Sequence, residues 1–359
     1  MNNIEPILLF GAMSLVAIQI LRTQLPTKTQ AFRLLAGVAV GFIVFVSLTD
    51  LTAWGLGLVR ATHVDEVTAE LRRHPSEKRL DIVIIGSSRA ANAIDDDRLE
   101  AALEKAGFPY DVRLIAAGGF FAFEHDAFLK EYLRETDRIP IAVMFEVSTE
   151  AKSELDTNKE NKAAGLRFLN GNHVWLAFEH LMESNRPALE IAHDLKTYAR
   201  HIYYRMFNIG LAGHARQRNS LPPRNGYQPH DTPDPTFNAD TVDSVSRKDF
   251  PVLVAKAHVL DATLRWREEQ AAALPKHGIK HALYFTPPIL DAFRRAHQAA
   301  ICERTPSIRC IEYSDSNLPE RLTGRHWHDS GHVLRSGAQI YTDWLATQLI
   351  QKLAGASRP

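Results

Sequence analysis

Apolar and polar positions are distributed very unevenly along this chain. Ile7 to Leu21 carries no charge, and Leu34 to Val59 carries only Asp50. A membrane span needs roughly 20 apolar residues, so the two stretches predict a transmembrane hairpin occupying residues 1–60. The loop between them holds Arg22, Lys28 and Arg33 with no acid. By the positive-inside rule it stays cytoplasmic, and everything after about residue 60 is then extracytoplasmic. Trp54 suits the outer interface and places Asp50 near the membrane edge, where a lone carboxylate costs least. Residues 61–79 are polar and helix-prone and read as a connector.

From residue 80 the pattern changes to short β-branched runs separated by helical composition. Ile82 to Ile85, ending at Gly86, predicts a buried strand. A helix over Ala90 to Ala106 follows, stopped by Gly107. A strand over Val112 to Ala116, a helix over Phe123 to Arg134 and a strand over Ile141 to Val147 continue the series. This alternation predicts an α/β domain with a parallel sheet, covering about residues 80–355. It is interrupted at about 151–250 by an insertion with helical composition from Val174 to Phe207 and a loop dense in Pro, Gly and Asn. Loops of that kind are often lids or binding arms. The pattern resumes with a helix near Pro251 to His277, strands over His281 to Thr286 and Ile308 to Tyr313, and a terminal helix over Gly337 to Leu353.

Composition removes some function classes. Lys+Arg and Asp+Glu are 42 each, so the basic surplus that marks a nucleic-acid partner is missing. Two cysteines, Cys302 and Cys310, lack zinc-site spacing. They pair if the domain lies in an oxidising compartment; two half-buried thiols is the other reading.

Candidate chemistry sits at the ends of the predicted domain. In open α/β sheets ligands bind beyond the carboxyl ends of the strands, which is where Gly86-Ser87-Ser88 turns from strand to helix. Ser is also a favoured N-cap with no chemistry, so the turn alone does not identify a nucleophile. The loop before the last helix supplies what a nucleophile needs. Asp329 and His332 are three residues apart, a spacing that lets the carboxylate orient an imidazole able to deprotonate Ser88. A rival use of His326, His328, Asp329 and His332 is metal ligation, which leaves the Gly-Ser-Ser turn without a role; the serine reading requires no metal and no cofactor. Arg89, directly after Ser88, reads as a solvent-facing residue of the first helical turn, with contact to an anionic substrate as the alternative.

These blocks resemble the SGNH, or GDSL-like, hydrolases. Ile84-Ile85-Gly86-Ser87-Ser88 looks like their first block, with Ser87 in place of the usual Asp. Ala116-Ala117-Gly118-Gly119 resembles the second, and Asp329 to Gly337 the last. The resemblance implies a flavodoxin-like three-layer sandwich and a Ser88–His332–Asp329 triad. It also implies an oxyanion site built from the backbone N–H of Ser88 and Gly119, with Gly118 as alternate. The third block departs: Ser148 and Glu150 stand where Gly and the oxyanion-donating Asn are usual. An ionised Glu cannot donate a hydrogen bond, leaving Ser148 or Thr149 to substitute through a hydroxyl.

With its anchor, the chain is similar to the membrane-bound branches that serve alginate O-acetylation and D-alanine transfer to teichoic acid. That likeness implies a serine esterase or O-acyltransferase in the inner (cytoplasmic) membrane, its catalytic domain periplasmic. The implied substrate is an acylated envelope or exported glycan, and the implied partner a polytopic membrane-bound O-acyltransferase. A non-catalytic glycan-binding scaffold supporting such an enzyme is the alternative.

Overall fold

The computed structural model describes residues 80–117, 122–136, 138–147, 175, 178–179, 181–183, 186–196, 226–238, 249–313 and 316–356. The predicted membrane hairpin and connector lie outside these residues. Among the described residues no helix is long and apolar enough to cross a membrane.

Five parallel strands form one sheet in the order β2-β1-β3-β4-β5. They are β1 (Asp81–Ser87), β2 (Asp111–Ala117), β3 (Ala142–Glu146), β4 (His281–Phe285) and β5 (Arg309–Ile311). The fold is therefore α/β, and its 2-1-3-4-5 order is consistent with a flavodoxin-like sandwich. Every residue of β1 and β3 is buried, as expected for strands covered on both faces.

Alternation along β1 sorts its side chains between two cores. Ile82 and Ile84 join a cluster with Leu99, Leu103, Trp327, Tyr341 and Leu345. Val83 and Ile85 face the other way, onto Phe128, Tyr132, Val254 and Ile301. The first cluster is covered by α1 (Ser88–Ala93), α2 (Asp96–Lys105) and the terminal helix. The second is covered by α3 (Ala122–Thr136), α4 (Phe250–Lys256), α5 (Asp261–Ala273) and α6 (Ala292–Arg304). A short α7 (Leu318–Arg321) precedes the terminal helix α8 (Arg335–Ala356). Its Ala338, Tyr341, Leu345, Leu349 and Leu353 make the buried stripe at helical spacing that seats it.

Several boundaries differ from those predicted. The single helix expected over 90–106 is two, because Ile94 is buried in extended conformation and Asp95 starts α2 as its N-cap. The Asp95 side chain accepts from Arg98 N, and its own N–H is donated to Thr342 Oγ1 of α8. The helix expected over 251–277 breaks between Lys256 and Asp261 and ends in a 3₁₀ turn, Leu274–His277. Helix α6 has no counterpart in the predicted elements. Asp291 caps it by accepting from Phe293 N and Arg294 N, and a disulfide joins its Cys302 to Cys310 of β5.

Asp96, in the first turn of α2, is 6% exposed, and its Oδ1 has no hydrogen-bond partner among the described residues. Burial, with the charge of Asp97 beside it, pushes its carboxyl from the ordinary 3.8 up to about 8. A carboxyl raised on folding stabilises fully below pH 3.8, and that contribution is lost as pH rises through about 8. Asp96→Asn is therefore expected to raise stability at pH 8 by on the order of 2 kcal/mol. The gain should vanish near pH 4, and urea melts of both proteins at the two pH values check it; equal midpoints at pH 8 would contradict the assignment.

Candidate active site

Strand β1 runs directly into α1, so the chain turns sharply between Ser87 and Ser88. Ser87 is the N-cap, its side chain accepting from Arg89 N at 3.2 Å. The capping role that competes with nucleophilic chemistry thus falls on Ser87. Ser88 is the first helical residue, half-buried, at the carboxyl edge of the sheet.

Gly86 makes the turn possible. A Cβ there would lie 2.5 Å from Ala90 Cβ and 2.7 Å from Glu146 Oε2. Parallel pairing sets Ser87 beside Ala117 and Ile85 beside Phe145, so β2 and β3 end at the same edge.

The loop before α8 arrives there from the far end of the chain. His328 N and Asp329 N both donate to His332 O, and Trp327 bridges Val333, which closes a tight hairpin. Gly337 lets this hairpin lie against the first turn of α8: a Cβ there would sit 2.7 Å from His326 O. The Gly predicted to open the last helix is thus inside its first turn, which begins at Arg335.

Three predicted residues converge. Ser88 Oγ lies 2.9 Å from His332 Nε2 across 244 residues of sequence. His332 Nδ1 lies 2.9 and 2.8 Å from the two oxygens of Asp329. Asp329 Oδ1 also accepts from Gly331 N at 2.7 Å and His332 N at 2.9 Å. Burial raises the Asp329 carboxyl, but these bonds and the neighbouring imidazole outweigh it and hold the group below its ordinary value. An ionised Asp329 accepts only, so the hydrogen-bond network assigns the imidazole proton to Nδ1. Nε2 is left to accept from the Ser88 hydroxyl.

Gly118, Gly119, Ser148, Thr149 and Glu150 lie outside the described residues. The metal-ligand alternative finds no geometric support. His326 Nδ1 pairs with Ser336 Oγ at 2.8 Å and His328 Nδ1 with Thr232 O at 2.7 Å. Among the described residues no group of three or more His, Cys, Asp or Glu side chains is arranged to hold a metal ion.

Three other residues at the site do not stand out in the sequence. Arg89 is half-buried, not solvent-facing as its first-turn position suggested. Burial lowers its guanidinium below the ordinary value, opposed by the charge of Glu146 and, more weakly, of Asp329. Glu146 ends β3 fully buried and bonds the Ser87 turn. An acid closing the apolar run Ala142-Val143-Met144-Phe145 is the signal that was available for it. His230 comes from the insertion. Its ring stacks on His328 at 3.9 Å and 3°, and meets His332 edge-on at 5.9 Å.

The segment 226–238 carrying His230 is fastened along its length. Gln228 N donates to Ala91 O, Arg335 N to His230 O, and Asp234 N to His328 O, while Arg335 pairs with Asp231 at 2.7 Å. The part of the insertion read as an irregular arm therefore lies against both α1 and the His332 loop. No family model matches the chain, and no curated protein or solved structure is significantly similar to it.

Proposed function

We propose that this chain is a membrane-anchored, extracytoplasmic serine esterase or O-acyltransferase of SGNH type, acting on acyl esters of an envelope or exported polysaccharide. The observation carrying this reading is the continuous relay Ser88 Oγ, His332, Asp329, with each link at 2.8–2.9 Å.

In this mechanism Ser88 Oγ attacks the acyl carbonyl carbon as its proton passes to His332 Nε2. Asp329 stabilises the imidazolium so formed and remains ionised. The carbonyl oxygen becomes an oxyanion, met by the Ser88 N–H at the start of α1; a second donor, assigned to Gly119, rests on the family resemblance alone. His332 returns the proton to the departing alkoxide oxygen as the C–O bond breaks, leaving an acyl ester on Ser88. Water or a sugar hydroxyl then gives its proton to His332 and attacks the acyl carbon, and His332 returns a proton to Ser88 Oγ as its bond to the acyl group breaks. The Cys302–Cys310 disulfide supports the extracytoplasmic assignment, since such bonds persist in oxidising compartments. The glycan and the membrane-bound O-acyltransferase partner rest on the family resemblance alone.

A fluorophosphonate probe tests the reading. Wild-type protein is expected to be labelled at Ser88, and Ser88→Ala to lose the label completely. Labelling that survives Ser88→Ala, or is missing from well-folded wild type, overturns it. Restoration of a deletion phenotype by Ser88→Ala and His332→Ala would point to the non-catalytic scaffold.

A further inference from the structure

Glu146 is a fully buried carboxylate outside the Ser88–His332–Asp329 relay, yet both its oxygens face the turn that carries the nucleophile. Oε2 accepts the Ser87 N–H at 2.6 Å, and Oε1 accepts the Ser87 hydroxyl at 2.8 Å. Because that hydroxyl proton is committed to Glu146, the Ser87 Oγ lone pairs are free to accept Arg89 N–H, at 3.2 Å. Ser88 lies between two residues whose backbones are pinned in this way.

The acid is itself held from behind. Arg267 of α5, also fully buried, donates from Nη2 to Glu146 O at 3.3 Å. Gln298 of α6 donates from Nε2 to Val147 O at 2.6 Å. Arg89 and Arg267 are the cations whose fields oppose the cost of burying the carboxylate, and Tyr341 is within electrostatic reach. Burying a carboxylate is costly unless it is paired and hydrogen-bonded, and among the described residues the hydrogen bonds to this side chain come from the nucleophile turn.

We infer that Glu146 is a positioning residue for Ser88: it fixes the Ser87 peptide and cap so that the Ser88 hydroxyl meets His332 and the Ser88 N–H faces the oxyanion. This rests on the serine-nucleophile reading.

The test uses the second-order rate of Ser88 labelling by a fluorophosphonate, which needs no knowledge of the natural substrate, together with amide exchange at Ser87. Glu146→Ala is expected to lower the labelling rate about 100-fold and to speed exchange of the Ser87 amide. Glu146→Gln should recover most of the rate, because the carboxamide oxygen accepts the Ser87 N–H and its NH₂ can donate to Ser87 Oγ. A Glu146→Ala protein that labels at the wild-type rate, or a Gln variant as slow as the Ala variant, overturns the inference. If Glu146→Ala does not fold, Ser87→Ala removes the hydroxyl arm together with the α1 cap that it orients and should cost about tenfold; an unchanged rate there overturns it equally. Failure of wild type to label would defeat the esterase reading instead. Ser87 exchange would then decide the role of Glu146, with unchanged protection in the Ala variant counting against it.

Discussion

Asp329→Asn is expected to lower turnover of an activated acyl ester by about 10³- to 10⁴-fold while leaving the melting temperature nearly unchanged. The two oxygens of Asp329 are not equivalent. Oδ1 accepts backbone N–H from Gly331 and His332, whereas among the described residues Oδ2 meets the imidazole alone. An asparagine keeps its carbonyl oxygen at the Oδ1 position, where two donors require an acceptor. Its NH₂ then points at His332 Nδ1, which can meet it only by giving up its proton. The imidazole proton moves to Nε2, facing the Ser88 hydroxyl 2.9 Å away, and the general base is lost without any loss of packing. Steady-state kinetics of the folded variant check this, and a loss smaller than tenfold would mean that Asp329 does not set the tautomer.

Gly86→Ala is expected to harm both stability and chemistry. The added methyl would lie 2.5 Å from Ala90 Cβ, which is fixed to the backbone of α1, and 2.7 Å from Glu146 Oε2. Ala90 Cβ cannot swing aside and Glu146 Oε2 is tied to the Ser87 N–H, so β1 and α1 must separate. Overpacking of this kind costs about 1–3 kcal/mol, or roughly 2–4 °C of melting temperature per kcal/mol in a domain of this size. Displacing the turn by even about 1 Å can cost 100-fold in rate. Thermal melts and fluorophosphonate labelling together decide it. Wild-type behaviour in both would show that the turn is more yielding than its contacts imply.

Legibility in the sequence followed the range of the interactions. The strands of the sheet were readable because fully buried parallel strands are unbroken apolar runs, as Ile82 to Ile85 shows. Ser88, Asp329 and His332 were readable because each lies in a short, chemically distinctive segment at an element end. Glu146 and His230 were not, since what each does depends on a neighbour distant in sequence: Ser87 for one, His328 and the His332 loop for the other. Arg89 was misread for a related reason. Its place in the first turn of a helix suggests solvent, but the loop around Gly331, where a Cβ would come within 3.5 Å of Arg89 Nε, closes over it. Helix α6 escaped because its Arg, His and Gln obscure the apolar rhythm, although Asp291 offered a start signal.

The 244 residues between hydroxyl and imidazole have a consequence for biosynthesis. A ribosome must add 244 residues after Ser88 before His332 exists, and the His332 loop must fold back onto the sheet before imidazole and hydroxyl meet. Under the proposed mechanism, a chain interrupted before His332 would therefore be chemically silent, and reactivity would report that this loop has been made and docked.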